Sequence, residues 1–310
     1  MGLDYNGVRL LAYTKALDPS LDSIVMLGRQ SLHTDAAGIQ AVFEEFRIPF
    51  EEWDPQRVVD AGSGYCEPLL QHMGFGRIES IDYSNYEHPT HVYDFNRPLP
   101  HDFDAGYDLV LDGGSLEHIF NFPIALRNCM RMVKPGGIFV TITPCNNLCG
   151  HGFYQFSPEL YFSLMRGNNQ FKLLDLFCHE NGRDMTWHRV KDPDVIKSRV
   201  NLITRNPVMM LVIARRLLGA ELPDFHIQQS DYQTLWAGES LKTPPKQNSP
   251  SNLGFLIRRI AAKAISGNLK SRIRELLEPD RFPSDFFTPA GNNKGSLLES
   301  ALSARNQPLE

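Results

Sequence analysis

Cysteine is scarce and odd in number: Cys66, Cys129, Cys145, Cys149 and Cys178 are the five in 310 residues. That excludes a disulfide framework and suits a reducing compartment. Long apolar runs are missing as well. The longest, Pro207 to Ala214, falls far short of the roughly 20 residues a membrane-spanning helix needs. Neither sign of charge dominates, with 31 Lys and Arg against 36 Asp and Glu and a net charge of -5, so nothing global calls for a polyanionic partner and nucleic acid is disfavoured. The opening Met1-Gly2-Leu3-Asp4-Tyr5-Asn6 lacks the basic-then-apolar pattern of a signal peptide and the Ser or Thr of a myristoylation signal. A cytoplasmic protein without a transmembrane segment is expected.

What is present is an alternation of strand and helix signals. Apolar residues at helical spacing run from Gly7 to Leu17 and from Asp35 to Phe46, with a short strand, Ser23 to Leu27, ending at Gly28-Arg29-Gln30 between them. Residues 1–50 read as an N-terminal extension or cap. Arg57-Val58-Val59-Asp60 then reads as a buried-type strand running into Gly62-Ser63-Gly64 and a helix through Leu69 to Met73. Strands follow at Ile78 to Ile81, His91 to Tyr93, Tyr107 to Leu111 and Gly137 to Ile142, with a helix at Asn121 to Met132. Ser157-Pro158-Glu159 is a helix start, and Phe171 to Cys178 and Val208 to Arg215 read as closing strands. The order predicts an α/β fold with a doubly wound, mainly parallel sheet over 51–240. A Pro- and Ser-rich linker over 241–252, a basic amphipathic helical segment within 253–290 and a disordered tail from 291 complete the chain. The basic helix is expected to pack on its own core or on a second copy in a homodimer.

A glycine turn opening a helix admits an anionic or polar ligand. Glu67 follows Gly62 and Gly64 where a dinucleotide fold wants a third glycine, and Asp60 opposes a phosphate but welcomes an ammonium group. No Gly-Lys-Ser/Thr follows, which excludes a Walker phosphate loop.

From Val58 to Arg215 the chain resembles the class I methyltransferases that use S-adenosylmethionine (SAM). The motifs are Val58-Val59-Asp60-Ala61-Gly62-Ser63-Gly64, Ser80-Ile81-Asp82-Tyr83-Ser84, Asp94-Phe95, Leu111-Asp112-Gly113-Gly114-Ser115-Leu116-Glu117-His118 and Lys134-Pro135-Gly136-Gly137. Cys66 departs from the pattern where a third glycine is frequent. The resemblance implies the family's seven-stranded sheet, with SAM as cofactor and S-adenosylhomocysteine as product. It also implies a cofactor site of Asp60, Gly62, Ser63 and Gly64 at the methionine end, Asp82 and Tyr83 at the ribose, Asp94 and Phe95 at adenine, and Asp112 and Gly113.

The methyl on a sulfonium is already activated, so the protein need only align an acceptor and, for a hydroxyl, remove its proton. His151 in the segment after the fifth strand is the candidate base, its alternative being a loop histidine bonded to backbone. His118 falls near the sulfur by family analogy, and Asn146, Asn147 and Tyr154 are candidate substrate contacts. Cys145-x3-Cys149-x-His151 lacks a fourth zinc ligand, so no metal is expected. The reading is O-methylation of a polar small molecule, a sugar or natural-product intermediate. A catalytically silent SAM-fold binding protein, and an N-methyltransferase including one acting on nucleic acid, stand as its alternatives.

Overall fold

The computed structural model describes residues 2–49, 54–166, 170–181, 186–219, 227–242, 282–290 and 296–305. In chain order the elements are β1 (Gly2–Leu3), α1 (Tyr5–Leu17), β2 (Ser23–Leu27), β3 (Ser31–Leu32), α2 (Ala36–Phe46), α3 (Pro55–Ala61), α4 (Glu67–His72), β4 (Arg77–Asp82), β5 (His91–Val92) and β6 (Tyr107–Asp112). Then come α5 (Phe122–Met132), β7 (Val133–Asn146), α6 (Pro158–Leu164), β8 (Phe171–Glu180), β9 (Trp187–Val190), α7 (Pro193–Ile196), β10 (Val208–Arg216), α8 (Ser230–Trp236), β11 (Phe287–Ala290) and α9 (Ser296–Arg305). The basic helix expected over 253–277 lies outside the described residues, as does most of the linker before it.

One sheet carries the fold, in the order β11-β9-β8-β10-β7-β6-β2-β4-β5. From β5 to β7 the strands are mutually parallel. β10 runs antiparallel between β7 and β8, and β9 and β11 extend the edge antiparallel. The sheet therefore differs from the seven-stranded expectation: it is a mixed sheet of nine strands among the described residues. The two additions come from Trp187–Val190 and Phe287–Ala290, short segments too weakly patterned to read as strands.

The middle strand of the five parallel ones is β2, hydrogen-bonded to β4 on one side and β6 on the other. It was expected in an extension outside the sheet. Every one of its residues is buried, and its side chains alternate, with Ile24 and Met26 in one core and Val25 and Leu27 in the other. The stretch Arg57 to Asp60, expected as the first core strand, is instead part of α3. Asp54 caps α3 by accepting from the Gln56 amide at 2.9 Å, Pro55 occupies its first turn, and Val58 alone is buried. An Asp-Pro start favours a helix, and two valines between charged residues cannot fill both faces of a central strand.

Helices cover both faces. On the first, α1 and α2 pack with Val58 and Leu69 over Ile24, Leu109 and Val140. Leu297, Leu298 and Ala301 of α9 join them, so Ser296–Arg305, expected within a disordered tail, is an ordered helix. On the second face α5 and α6 pack over Val25, Val110 and Phe139. Asp4 and Asp35 cap α1 and α2 through the Gly7 and Gly38 amides, and Ser157 caps α6 as its sequence signature indicates. Among the described residues no helix is long and apolar enough to cross a membrane.

α1 is fastened to α2 by a buried two-point ion pair, Arg9 Nε to Glu45 Oε2 at 2.7 Å and Arg9 Nη2 to Glu45 Oε1 at 2.6 Å. Arg9→Met strands Glu45 in the core, and urea unfolding should show a loss of about 3–5 kcal/mol. Arg9→Met with Glu45→Leu should recover most of it; an equal loss in both proteins would show that the charge pair is not what fastens the helices.

Candidate functional site

After β2 the chain moves outward to β4 and β5, then crosses back to β6 on the other side of β2. The reversal opens a crevice at the carboxyl ends of β2 and β6, the position at which open α/β sheets bind ligands. Gly28 turns the chain out of β2 with φ 68, a left-handed conformation that suits glycine. Its amide donates to Ile81 O at 2.8 Å, which fixes the turn beside the end of β4.

Gln30 is wholly buried in this turn, its Nε2 donating to Leu27 O at 2.6 Å. Its Oε1 has no hydrogen-bond partner. A Cβ at Gly113 would lie 2.3 Å from that oxygen, so the loop after β6 approaches the loop after β2 as closely as glycine permits. Arg29 is held by three partners. It pairs with Glu67 at 2.6 Å, donates to Glu87 O at 3.0 Å and stacks over the Tyr65 ring at 3.9 Å.

The expected cofactor residues fall in two groups. Gly62, Ser63 and Gly64 form a turn behind the β2 loop, where Leu32 N donates to Gly64 O at 2.8 Å and Cys66 N to Gln30 O at 3.1 Å. Asp60 lies on the exposed side of α3, accepting from Gln56 Nε2 at 2.8 Å. Asp82 and Asp112 end β4 and β6 on either side of β2. Tyr83 is exposed beyond Asp82. Asp94 is held below the usual carboxylate range by the side chain and backbone of Asn96, while Phe95 is buried in the second core.

Asp112 is fully buried. Its Oδ1 accepts from the amides of Ser115 and Leu116 at 2.7 and 3.2 Å, and its Oδ2 from Thr141 Oγ1 of β7 at 2.6 Å. This caps the 3-10 turn Leu116–His118 and delivers Glu117 and His118 to the crevice. Glu117 O in turn accepts from the amides of Phe153 and Tyr154 at 2.8 and 3.3 Å, and Tyr154 Oη donates to Phe120 O at 2.6 Å. The segment after β7 is thereby zipped onto the 3-10 turn. His151 Nε2 arrives 3.4 Å from Glu117 Oε1, and the His118 and His151 rings lie 5.1 Å apart.

The two histidines named from the sequence are thus brought together, with a partner that sequence reasoning left without a role. Glu117 was quoted only as part of Leu116-Glu117-His118; the signal was an acid beside a functional histidine. Both of its carboxylate oxygens are buried without a hydrogen-bond partner. Burial, with Asp112 next to it, pushes its pKa up; burial also raises that of Asp112 against the hydrogen bonds it accepts. Burial and the neighbouring His151 lower His118. Gln30 and Gly28 were likewise missed, because the strand before them was assigned to an extension.

Asn146 and Asn147 spend their amide donors on the loop before β10. Asn146 Nδ2 donates to Thr204 Oγ1 at 3.2 Å, and Asn147 Nδ2 to Thr204 O at 2.7 Å. Above the histidines Phe120 and Phe153, 73% and 67% exposed, meet edge to face and form an aromatic rim. Cys145, with burial, pushes the Cys178 thiol well above its ordinary pKa, and Cys149 accepts from Gln155 Nε2 at 3.4 Å.

No protein-family model matches the chain, and no curated protein matches it. Among solved structures it is similar to the 1,6-didemethyltoxoflavin-N1-methyltransferase of Burkholderia thailandensis with bound S-adenosylhomocysteine. The identity is 12%, with 68% of this chain and 78% of that one covered and a TM-score of 0.37. It is similar also to the N-methyltransferase NodS of Bradyrhizobium japonicum WM9 in complex with S-adenosylhomocysteine, again at 12% identity, over 68% and 87% of the two chains and with a TM-score of 0.37. Likenesses this distant bear on neither substrate nor chemistry.

Glu117 offers a direct check on these electrostatics. A carboxyl whose folded-state pKa is raised removes stability as pH climbs above its unfolded value of about 4.3. In EDTA, Glu117→Gln should therefore raise Tm at pH 8, by about 2–4 °C for each kcal/mol relieved, and by less at pH 5. A gain that does not grow with pH, or a loss at pH 8, would show that the carboxylate is satisfied in the fold.

Proposed function

We propose that this chain is a SAM-dependent methyltransferase that methylates an oxygen of a polar small molecule, a sugar or a related hydroxylated metabolite. The observation that carries the reading is the meeting of the loops after β2 and β6. It leaves a buried carbonyl, Gln30 Oε1, without a partner beside Gly113, with Asp82 one strand away and the Glu117–His118–His151 cluster at the exit of the next. An orphaned acceptor at a switch point suits an ammonium donor. The sequence resemblance at Ser80-Ile81-Asp82-Tyr83-Ser84 and from Leu111 to His118 supports the reading; its first motif does not, because Val58 to Ala61 folds as α3.

In this reading Gln30 accepts from the ammonium group of the cofactor, and Gly28 and Gly113 let its methionine end approach backbone. Asp82 accepts from both ribose hydroxyls, a task that needs two acceptor oxygens. Asp94 and the backbone of Phe95 serve the adenine end, with Tyr83 over it. Gly62, Ser63 and Gly64 back the β2 loop from behind.

SAM supplies a methyl group already activated for in-line displacement, so the chain's own residues have two tasks, alignment and removal of a proton. His151 takes the proton of the acceptor hydroxyl, with the carboxyl of Glu117 behind it. His118 flanks the acceptor, and Phe120, Phe153 and Tyr154 wall it. The apolar C–H face of a sugar ring fits an aromatic rim beside polar groups.

Calorimetry with SAM tests the cofactor assignment. Asp82→Ala should weaken binding about ten- to a hundredfold, the equivalent of hydrogen bonds worth about 1.5–3 kcal/mol. No binding at millimolar SAM would overturn the reading in favour of a silent binding protein. Against a panel of hydroxylated metabolites, His151→Ala should lower kcat about 10²–10⁴-fold while leaving SAM affinity unchanged. An unchanged kcat would remove His151 from proton transfer.

A further inference from the structure

The Glu117–His118–His151 cluster holds more than proton transfer requires. We infer that it binds one divalent transition-metal ion of the class that imidazole and carboxylate share, such as Zn²⁺, Co²⁺ or Fe²⁺. The inference concerns metal binding alone and stands whether or not the chain transfers methyl groups. The sequence expectation of no metal rests on Cys145, Cys149 and His151 with only the distant Cys178 or His179 to complete the set; of these, His151 alone belongs to the cluster that forms.

One ligand atom from each of Glu117, His118 and His151 lies within 4.8 Å of the other two. The 3.4 Å between Glu117 Oε1 and His151 Nε2 already matches two donors on a tetrahedral ion, which stand about 3.3 Å apart at zinc bond lengths. His118 and His151 are both exposed, so their rings have room to turn the remaining distance inward. The backbone on either side is fixed, by the Asp112 cap before Glu117 and by the Phe153 and Tyr154 amides on Glu117 O.

A second, independent observation points to a cation. Both carboxylate oxygens of Glu117 are buried and without a hydrogen-bond partner; among the described residues its one ion-pair neighbour is His151, at 3.4 Å, and the other cation that acts on it is the N-terminal ammonium. A buried carboxylate without donors is a costly arrangement. An ion held between it and two imidazoles satisfies both oxygens at once. Two histidines and one carboxylate also leave coordination positions open, as in sites that bind substrate on the metal.

A bound ion would be held by Glu117, His118 and His151 and would supply Lewis acidity at its open positions; the coordinated nitrogen of His151 would then not be free to act as a base.

The test is titration of the EDTA-treated full chain with ZnCl₂ by calorimetry and with CoCl₂ by visible absorption, whose d–d bands report nitrogen and oxygen donors. One ion per chain is expected. Glu117→Gln, His118→Ala and His151→Ala should each weaken it by about tenfold or more, and Cys149→Ser should leave it unchanged. The two histidines are exposed, so their variants separate ligand loss from misfolding, which circular dichroism checks. No binding, equal binding in the three variants, or loss in Cys149→Ser would overturn the proposal. SAM calorimetry on the metal-free protein reads the methyl-donor assignment separately, so the two can fail independently.

Discussion

The Asp112 carboxylate is the point on which the crevice turns. It ends β6, is closed off from water, and accepts three hydrogen bonds from three different places: Ser115 N, Leu116 N and Thr141 Oγ1. Two of these cap the 3-10 turn and the third ties that turn to β7. Without the cap, the backbone that presents Glu117 and His118 has no reason to fold back over the strand end. Because the segment after β7 is zipped to Glu117 O, His151 depends on the same carboxylate at one remove. A buried acid is tolerated here because its hydrogen bonds offset its desolvation. Glu117, a few residues on, lacks that compensation, and the roles proposed for it rest on that contrast.

The sheet makes the same division of labour visible on a larger scale. β2 is buried on both faces and flanked by parallel neighbours, so its residues from Ile24 to Leu27 are apolar and offer no reactive group, and its one polar residue, Ser23, is spent on Asp108 at the opposite end. Chemistry begins one residue past its end, where Gly28 turns the chain and Gln30 is folded back under the loop. The neighbouring strands obey the same rule, with Asp82, Asp112 and the segment after β7 all at carboxyl ends. A parallel sheet aligns those ends, which is why residues scattered from Gly28 to His151 share one edge.

Much of this was legible in the sequence, and the misses have physical causes. The strand ends at Asp82 and Asp112 and the place of His151 after the fifth strand followed from β-type segments each closed by a polar residue; His118 came from the family resemblance, and the meeting of the two histidines is visible only in the fold. The start of α6 was plain in Ser157-Pro158-Glu159. The first strand was misplaced because Val58-Val59-Asp60-Ala61-Gly62 imitates a strand and glycine turn, while Asp54-Pro55, the stronger local signal, starts a helix there. Periodicity alone cannot separate two valines in a strand from two in a short helix. Ser23 to Leu27 was read as a strand, but its central place is a property of pairing across the chain. Gln30 and Glu117 were invisible for a similar reason: a missing hydrogen-bond partner exists only once the fold has removed water.

Charge decides how a loop can carry an arginine directly after β2 and still face a cationic ligand. A sulfonium donor bears positive charge at sulfur and at its ammonium group, so a free guanidinium beside Gly28 would oppose it across a low-dielectric crevice. Arg29 is not free. Glu67, in the first turn of α4, neutralises it, the Tyr65 ring takes one of its faces and Glu87 O takes a donor. The same contacts join the β2 loop to α4 and to the segment after β4. Pairing the guanidinium rather than substituting it therefore removes its charge while tying the loop to its neighbours. In the function proposed above, one carbonyl oxygen, at Gln30, then serves as the acceptor for an ammonium group.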